Sequence, residues 1–288
     1  MRKTVSFSSL MKAFVIIALF CIAVSIMVPV LWVMTASVKP DGDFYGDPWA
    51  IPSSLHFENF RNAWEKANMG SYFLSSVTVT ALSLIFLLIT AIPAAYVLSR
   101  FTFRGRGLLK GFFMSGLFIN ASYLVVPIFI MLTDLNSLLD TRVFLNNHIV
   151  VAIVYAATAL PFTVYLLSGY FTALPREYEE AAYVDGAGHF RTMLQIITPM
   201  ARPAIITVIL FNFLAFWNEY IIAITLLTED RVKTLPVGLM NLMKAQNAAA
   251  QYGQMYAGLV IVMLPTLILY ILVQKKLTEG LSVGGVKG

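Results

Sequence analysis

Glu179, Glu180, Ala181, Ala182, Tyr183, Val184, Asp185, Gly186 and Ala187 form a polar run, followed by Ile196 and then Pro199. Carboxylates beside paired alanines suit docking better than catalysis. Acids can pair with a basic surface through charge-assisted hydrogen bonds, and alanines allow another surface to come close. A second stretch, Trp217, Asn218, Glu219 and Tyr220, sets an acid and an amide beside two aromatic faces. That chemistry suits a hydroxylated ligand. No GxxxxGK[ST] phosphate loop is present, so nucleotide is expected to bind elsewhere. His56, His148 and His189 fall in three separate segments with neither HExxH spacing nor a cysteine cluster, and each reads as a satisfied histidine rather than a metal ligand. The lone Cys21 forms no internal disulfide and is silent on compartment. The residues point to no metal and no enzyme.

The elements that must position these stretches are set by composition. Of 288 residues, 59% are hydrophobic and 12% charged, with a mean hydropathy of +0.78. Soluble domains hold roughly 45 to 50% apolar and about 25% charged residues, so the chain is read as an integral membrane protein. The net charge of +5 sits in short clusters beside apolar runs, where it sets topology; nucleic acid is not an expected partner. A helix crossing the hydrocarbon core needs about 20 residues. Six runs meet that need, near Phe14 to Ser37, Tyr72 to Leu98, Phe112 to Leu132, Ile149 to Phe171, Ala204 to Leu227 and Ala257 to Val273. The fold class is therefore all-α with six transmembrane helices. The first run is too long for a signal peptide and has no small-residue cleavage site, so it is read as retained.

Lys and Arg assign the sides. Arg2, Lys3 and Lys12, then Arg100, Arg104, Arg106 and Lys110, then Arg176, Arg191 and Arg202, then Lys275, Lys276 and Lys287 fall on one side. That side is read as cytoplasmic and holds both termini. The opposite loops carry Asp41, Asp43, Asp47, Glu58, Glu65, Asp134, Asp140, Glu229 and Asp230. The organisation is thus an N-terminal segment 1–13, a six-helix domain 14–273 with a cytoplasmic loop 174–203, and a cytoplasmic tail 274–288 whose glycines suggest flexibility.

Within that cytoplasmic loop, Pro175 suits a first helical turn and Glu177, Glu179 and Glu180 favour the positive end of the helix dipole. Tyr178, Ala181 and Ala182 share one face at helical spacing. Gly186 and Gly188 should break the helix. A second helix is expected over His189 to Ile197, with Phe190, Met193, Leu194 and Ile197 on its apolar side, before Pro199 and Pro203 turn the chain back into the membrane. The residues alone leave two readings open, a docking knob and an amphipathic loop lying on the bilayer. Glu219 also has two. An acid inside a span costs roughly 2.5 to 3.5 kcal/mol on insertion scales, so it lines a pathway or bonds another helix. Pro29, Pro93, Pro127, Pro161 and Pro265 inside the runs are hinges or ordinary membrane prolines. The outer loop from Lys39 to Gly70, with Tyr45, Trp49, Phe57 and Trp64, either meets an external protein or caps its own helices.

Glu180, Ala181, Ala182, Gly186, Ile196 and Pro199 resemble, at their spacing, the EAA loop of permease subunits of bacterial ABC importers; Thr198 stands where that pattern usually has leucine. Ser37-Val38-Lys39-Pro40, Glu58-Asn59-Phe60, Trp217-Asn218-Glu219-Tyr220 and the tail from Gly280 to Gly288 are similar to the carbohydrate-uptake branch. The resemblance spans essentially the whole chain. It implies a type I ABC importer permease fold in the bacterial cytoplasmic membrane, working with a second permease, two ATPase subunits that bind the ATP, an extracytoplasmic solute-binding protein and a carbohydrate substrate. It further implies that Glu179, Glu180, Ala181, Ala182, Asp185, Gly186, Ala187, Ile196 and Pro199 couple to an ATPase. Trp217, Asn218, Glu219 and Tyr220 are the candidate pathway residues. The competing class is a stand-alone secondary transporter or channel, which should show inverted repeats or paired broken helices.

Overall fold

The computed structural model describes residues 7–66, 68–249 and 251–284. Among them every regular element is helical: α1 Phe7–Ala36, α2 Glu58–Lys66, α3 Met69–Arg100, α4 Arg106–Gly116, α5 Ala121–Leu138, α6 His148–Ala173, α7 Glu177–Val184, α8 His189–Thr192, α9 Thr198–Met200, α10 Arg202–Trp217, α11 Ile221–Leu226, α12 Leu235–Ala249 and α13 Tyr252–Gly284. Hydrocarbon offers a backbone no partners, so long apolar runs close their hydrogen bonds within a helix. Five of these helices are long and apolar enough to cross a membrane, and a sixth span exists only if the bent pair His189–Met200 and Arg202–Trp217 counts as one.

Two of the expected runs are therefore not single helices. The run from Phe112 to Leu132 divides into α4 and α5. At the end of α4, Gly116 faces Pro161 of α6 so closely that a Cβ would lie 2.7 Å from the proline Cγ. Asn120 Oδ1 then caps α5 by accepting from the Ser122 N–H at 2.9 Å. The N–H groups of Leu117, Phe118 and Ile119 donate to Met114, Ser115 and Gly116 carbonyls, so the break leaves these donors satisfied. The run from Ala204 to Leu227 divides at Trp217 into α10 and α11. Neither break is at a proline. Pro29, Pro93, Pro127, Pro161 and Pro265 lie inside helices that continue through them.

The chain forms two structural units. One holds the residues up to Met69 together with Leu239–Met263. Here the loop after α1 bonds back onto its own flanking segments. Asn59 donates its amide to the carbonyls of Ser37 and Lys39, both at 3.0 Å, which explains why Ser37-Val38-Lys39-Pro40 and Glu58-Asn59-Phe60 occur together. Lys39 is buried; its ammonium donates to Pro48 O at 2.8 Å and lies 5.8 Å from the centre of the Phe44 ring, a cation–π distance. Trp32 Nε1 donates to the same carbonyl, and its ring meets Trp49 and Tyr256 at 5.2 and 5.0 Å. Asp43 accepts from the Ser53 backbone N–H and hydroxyl, and the backbone bond leads the effects that hold its carboxyl below the usual range.

The Gly253 N–H donates to Asp41 Oδ1 at 3.0 Å. A Cβ on Gly253 would lie 2.5 Å from Asn59 Nδ2 and 2.6 Å from Lys39 O. The carbonyl is backbone and cannot swing away. Gly253→Ala is therefore expected to destabilise the protein by about 1 to 3 kcal/mol, the usual scale of overpacking; thermal denaturation in mild detergent measures it.

The second unit spans Gly70–Gly238 and continues from Leu264. Its core gathers Leu87, Tyr96, Tyr155, Leu167, Phe171, Ile197 and Val208, with α6 packed against α4 and α10. The loop ahead of α6 is tied to the segment after α11. Asn146 Oδ1 accepts from the Thr228 and Glu229 N–H groups, and His148 Nε2 bonds Val232 O at 2.9 Å. The tail read as a flexible segment from residue 274 begins as helix, since α13 runs to Gly284. Arg2, Lys3 and the end of the tail with Lys287 lie outside the described residues.

Candidate functional site

The loop 174–203 is a helical knob. Its first helix, α7, begins after Pro175 with Glu177, Glu179 and Glu180 in the first turn. The buried face carries Glu179 and Ala182, whereas Tyr178, Glu180 and Ala181 are exposed. Tyr178, Ala181 and Ala182 thus do not share one environment. Spacing had placed them on one side, but Glu179 turns inward because a cation waits there. Arg100, the last residue of α3, lies 3.3 Å from Glu179 Oε1 through its Nε, both side chains being almost fully enclosed. The same guanidinium donates to Leu174 O at 2.8 Å.

Asp185 closes α7 as its C-cap, and Gly186 follows at φ +77°. Gly186 N–H donates to Tyr183 O and Ala187 N–H to Ala182 O, the paired bonds of a Schellman motif. Gly188 has an ordinary extended backbone, φ −74° and ψ 163°, so the break rests on Gly186 alone. Gly186→Val places a β-branched residue in the left-handed region, at a cost of roughly 1 to 2 kcal/mol. The variant is expected to unfold at lower temperature, while Gly188→Ala is expected to unfold with the native protein.

The second helix is present and runs from His189 to Met200, past the expected end at Ile197, but it is not regular. α8 stops at Thr192, a π-helical turn covers Met193–Ile197, and α9 ends at Met200. The chain then bends by 78° into α10. The added π residue separates the expected apolar side. Met193 and Ile197 are buried, but Phe190 and Leu194 are 71% and 45% exposed. Ile196 and Pro199 are half-buried. His189 bonds the Tyr183 hydroxyl through Nδ1 at 2.8 Å and meets Phe101 edge-on at 5.2 Å. The knob consequently offers Tyr178, Ala181, Val184, Phe190 and Leu194 outward, apolar surface exposed among the described residues. It lies at the same end as the basic segment that starts at Arg100.

The second stretch lies at the break between α10 and α11. Glu219 Oε1 accepts from Ile222 N–H at 2.8 Å, and Oε2 from Ala223 N–H at 3.0 Å. Tyr155 on α6 donates its hydroxyl to Oε2 at 2.6 Å. Glu219 thus caps α11 from inside and ties it to α6. It also lines a cavity of about 390 Å³ with Ser122, Tyr155, Phe162, Asn212 and Ile222. The side chain therefore bonds another helix and also borders a cavity. Irregular backbone at membrane depth is tolerated where it is buried or lines a cavity. Trp217 is buried and stacked on Phe213 at 5.5 Å, Asn218 bonds back to Leu214 O, and Tyr220 is half-buried; these three do not line the cavity.

Sequence reasoning missed Tyr155, Asn212 and Arg100. Asn212 donates to Thr163 Oγ1 and Val208 O, and a lone amide inside an apolar run was a readable signal. Tyr155 and Arg100 gave none, because their partners are distant in sequence. The histidines are satisfied as expected, His56 by Ser54, His148 by Val232 and His189 by Tyr183.

Long apolar helices, carrying a helical knob at one end, define a polytopic membrane protein. The chain belongs to the family described as binding-protein-dependent transport system inner membrane component, whose pattern matches residues 87–277. It is 37% identical to the diacetylchitobiose uptake system permease protein NgcG of Streptomyces coelicolor, over 91% of this chain and 84% of that one. It is 29% identical to the trehalose/maltose transport system permease protein MalG of Thermococcus litoralis, over 97% and 98%. A solved bacterial ABC transporter involved in the import of the acidic polysaccharide alginate shares its fold, with a TM-score of 0.79 at 24% identity over 94% and 98% of the two chains. The family resemblance carried by the EAA-like loop is borne out, as is the placement in the inner membrane.

Proposed function

We propose that the chain is a transmembrane permease subunit of an ATP-driven importer of a carbohydrate, a sugar, oligosaccharide or polyol. It forms half of the pathway beside a second permease, receives substrate from an extracytoplasmic binding protein, and takes its drive from two ATPase subunits that bind the ATP. Both termini and the knob face the cytoplasm in this reading. Glu179, Glu180, Ala181, Ala182, Asp185, Gly186, Ala187, Ile196 and Pro199 build the coupling element. Its outer face docks on the ATPase, while the 78° bend into α10 carries the motion to the membrane. The observation that carries the reading is the uncovered apolar face of the knob, with Val184 88% exposed and Phe190 71% exposed beside Ala181. Relatives named for diacetylchitobiose, trehalose/maltose and melibiose/raffinose/stachyose support the substrate class. Glu219 and the Tyr155–Asn212 cavity are the proposed pathway wall in this subunit.

The test is purification from membranes in a mild detergent, with every co-purifying polypeptide identified by mass spectrometry. An ATPase, a second permease and a solute-binding protein are expected. Recovery of the chain alone, in a detergent shown to hold such complexes together, would return the stand-alone transporter.

A further inference from the structure

The end of α3 holds both helices of the knob. Arg100 pairs with Glu179 of α7 at 3.3 Å and donates to the Leu174 carbonyl ahead of it. The next residue, Phe101, meets His189 of α8 edge-on, and His189 is bonded to Tyr183 of α7. Arg100, Phe101, Glu179, Tyr183 and His189 line one small cavity of about 220 Å³. The ion pair is almost fully enclosed. Removing one member would strand a buried charge, which a neighbouring surface pair would not do.

From this geometry we infer that Arg100 and Phe101 form a latch that makes α3 and the knob move as one body, so that α3 is driven directly by the ATPase rather than through α6 or α10. The inference rests on the proposed docking of the knob. Arg100 is a positioning residue: it acts through Glu179 and Leu174 and touches neither nucleotide nor solute. Continuous backbone links the knob only to α6 and α10. Without the latch, α3 meets the knob through apolar packing, with Tyr96 and Leu98 in the same core as Met193 and Ile197, and the motion of the knob would reach α3 less directly.

The test uses the complete complex in proteoliposomes, in a Cys21→Ser background, with spin labels on Val77→Cys and Glu177→Cys. These sites are exposed, one on α3 and one on α7. The helical rise of α3 from Val77 to Arg100 puts them about 35 Å apart. Trapping with ATP and vanadate is expected to leave this distance unchanged in the native pair and to shift or broaden it in Arg100→Gln. A charge exchange, Arg100→Glu with Glu179→Arg, is expected to restore the narrow distance that Arg100→Glu alone loses; contacting charges in such cycles couple by roughly tenfold or more. A native distance that moves on trapping, or an Arg100→Gln complex that behaves as native, overturns the latch. Val184→Arg separates the two ideas. It should strip the ATPase from the purified complex without altering the nucleotide-free distance, and an ATPase that stays bound refutes knob docking instead.

Discussion

Glu219→Ala is expected to lower uptake by transporting vesicles about 100-fold or more and to reduce the thermal stability of the complex. The carboxylate serves three donors, the Ile222 and Ala223 N–H groups and the Tyr155 hydroxyl. Each orphaned buried donor costs about 1 to 3 kcal/mol. Because the three share one acceptor group the losses do not simply add, and about 3 to 5 kcal/mol is the expected total. Loss of the cap frees the first turn of α11 and removes its tie to α6. Glu219→Gln should fall between, since one amide oxygen can keep two donors while its NH2 group confronts the third. Tyr155→Phe removes a single bond and should cost about 1 kcal/mol. Uptake of labelled sugars from a panel that includes trehalose and maltose, together with melting in detergent, gives the order. Equal behaviour of all three variants would mean that the cap has no part in transport.

The second large effect concerns two adjacent alanines that sequence alone treats alike. Ala182 is 3% exposed, whereas Ala181 lies on the outer face of α7. Ala182→Arg forces a long cation into a packed site, adding overpacking to an unpaired buried charge. A loss of about 3 kcal/mol or more is expected, hence a roughly 100-fold smaller equilibrium constant for the native arrangement of the knob. Uptake should fall with it while the chain still reaches the membrane. Ala181→Arg strains nothing within the chain. It is expected to melt as the native protein does and yet to release the ATPase during purification. Melting temperature against ATPase recovery separates the inner from the outer face, and a stable Ala182→Arg knob would contradict the burial described above.

These two alanines show where sequence reading stops. The knob was legible because its signals are local: a proline just ahead of the helix, three acids in its first turn, and one glycine that the turn at Asp185 requires. The membrane helices were legible from length and hydrophobicity. Their breaks were not. Leu117, Phe118 and Ile119 are as apolar as any span, and the close approach of Pro161 to Gly116 at the end of α4 is a contact that no window of sequence contains. The break after Trp217 was marked by Glu219, whose acid was noticed, but its partners Ile222 and Ala223 look like ordinary span residues. Arg100 read as one more topogenic cation. Its pairing with Glu179 is a product of helix packing, and the same packing turned the α7 face by one residue from the expected one.

The bond between Gly253 and Asp41 joins residues 212 apart in sequence. Ribosomes deliver this chain from the N-terminus, so the loop containing Asp41 waits for nearly the entire protein to be synthesised before it can close. Asn59 can hold Ser37 and Lys39 early, because that clasp is local, but the lock on it arrives with the last helix. A chain cut short before Gly253 would lack this lock and leave the Asp41 carboxylate without its backbone donor.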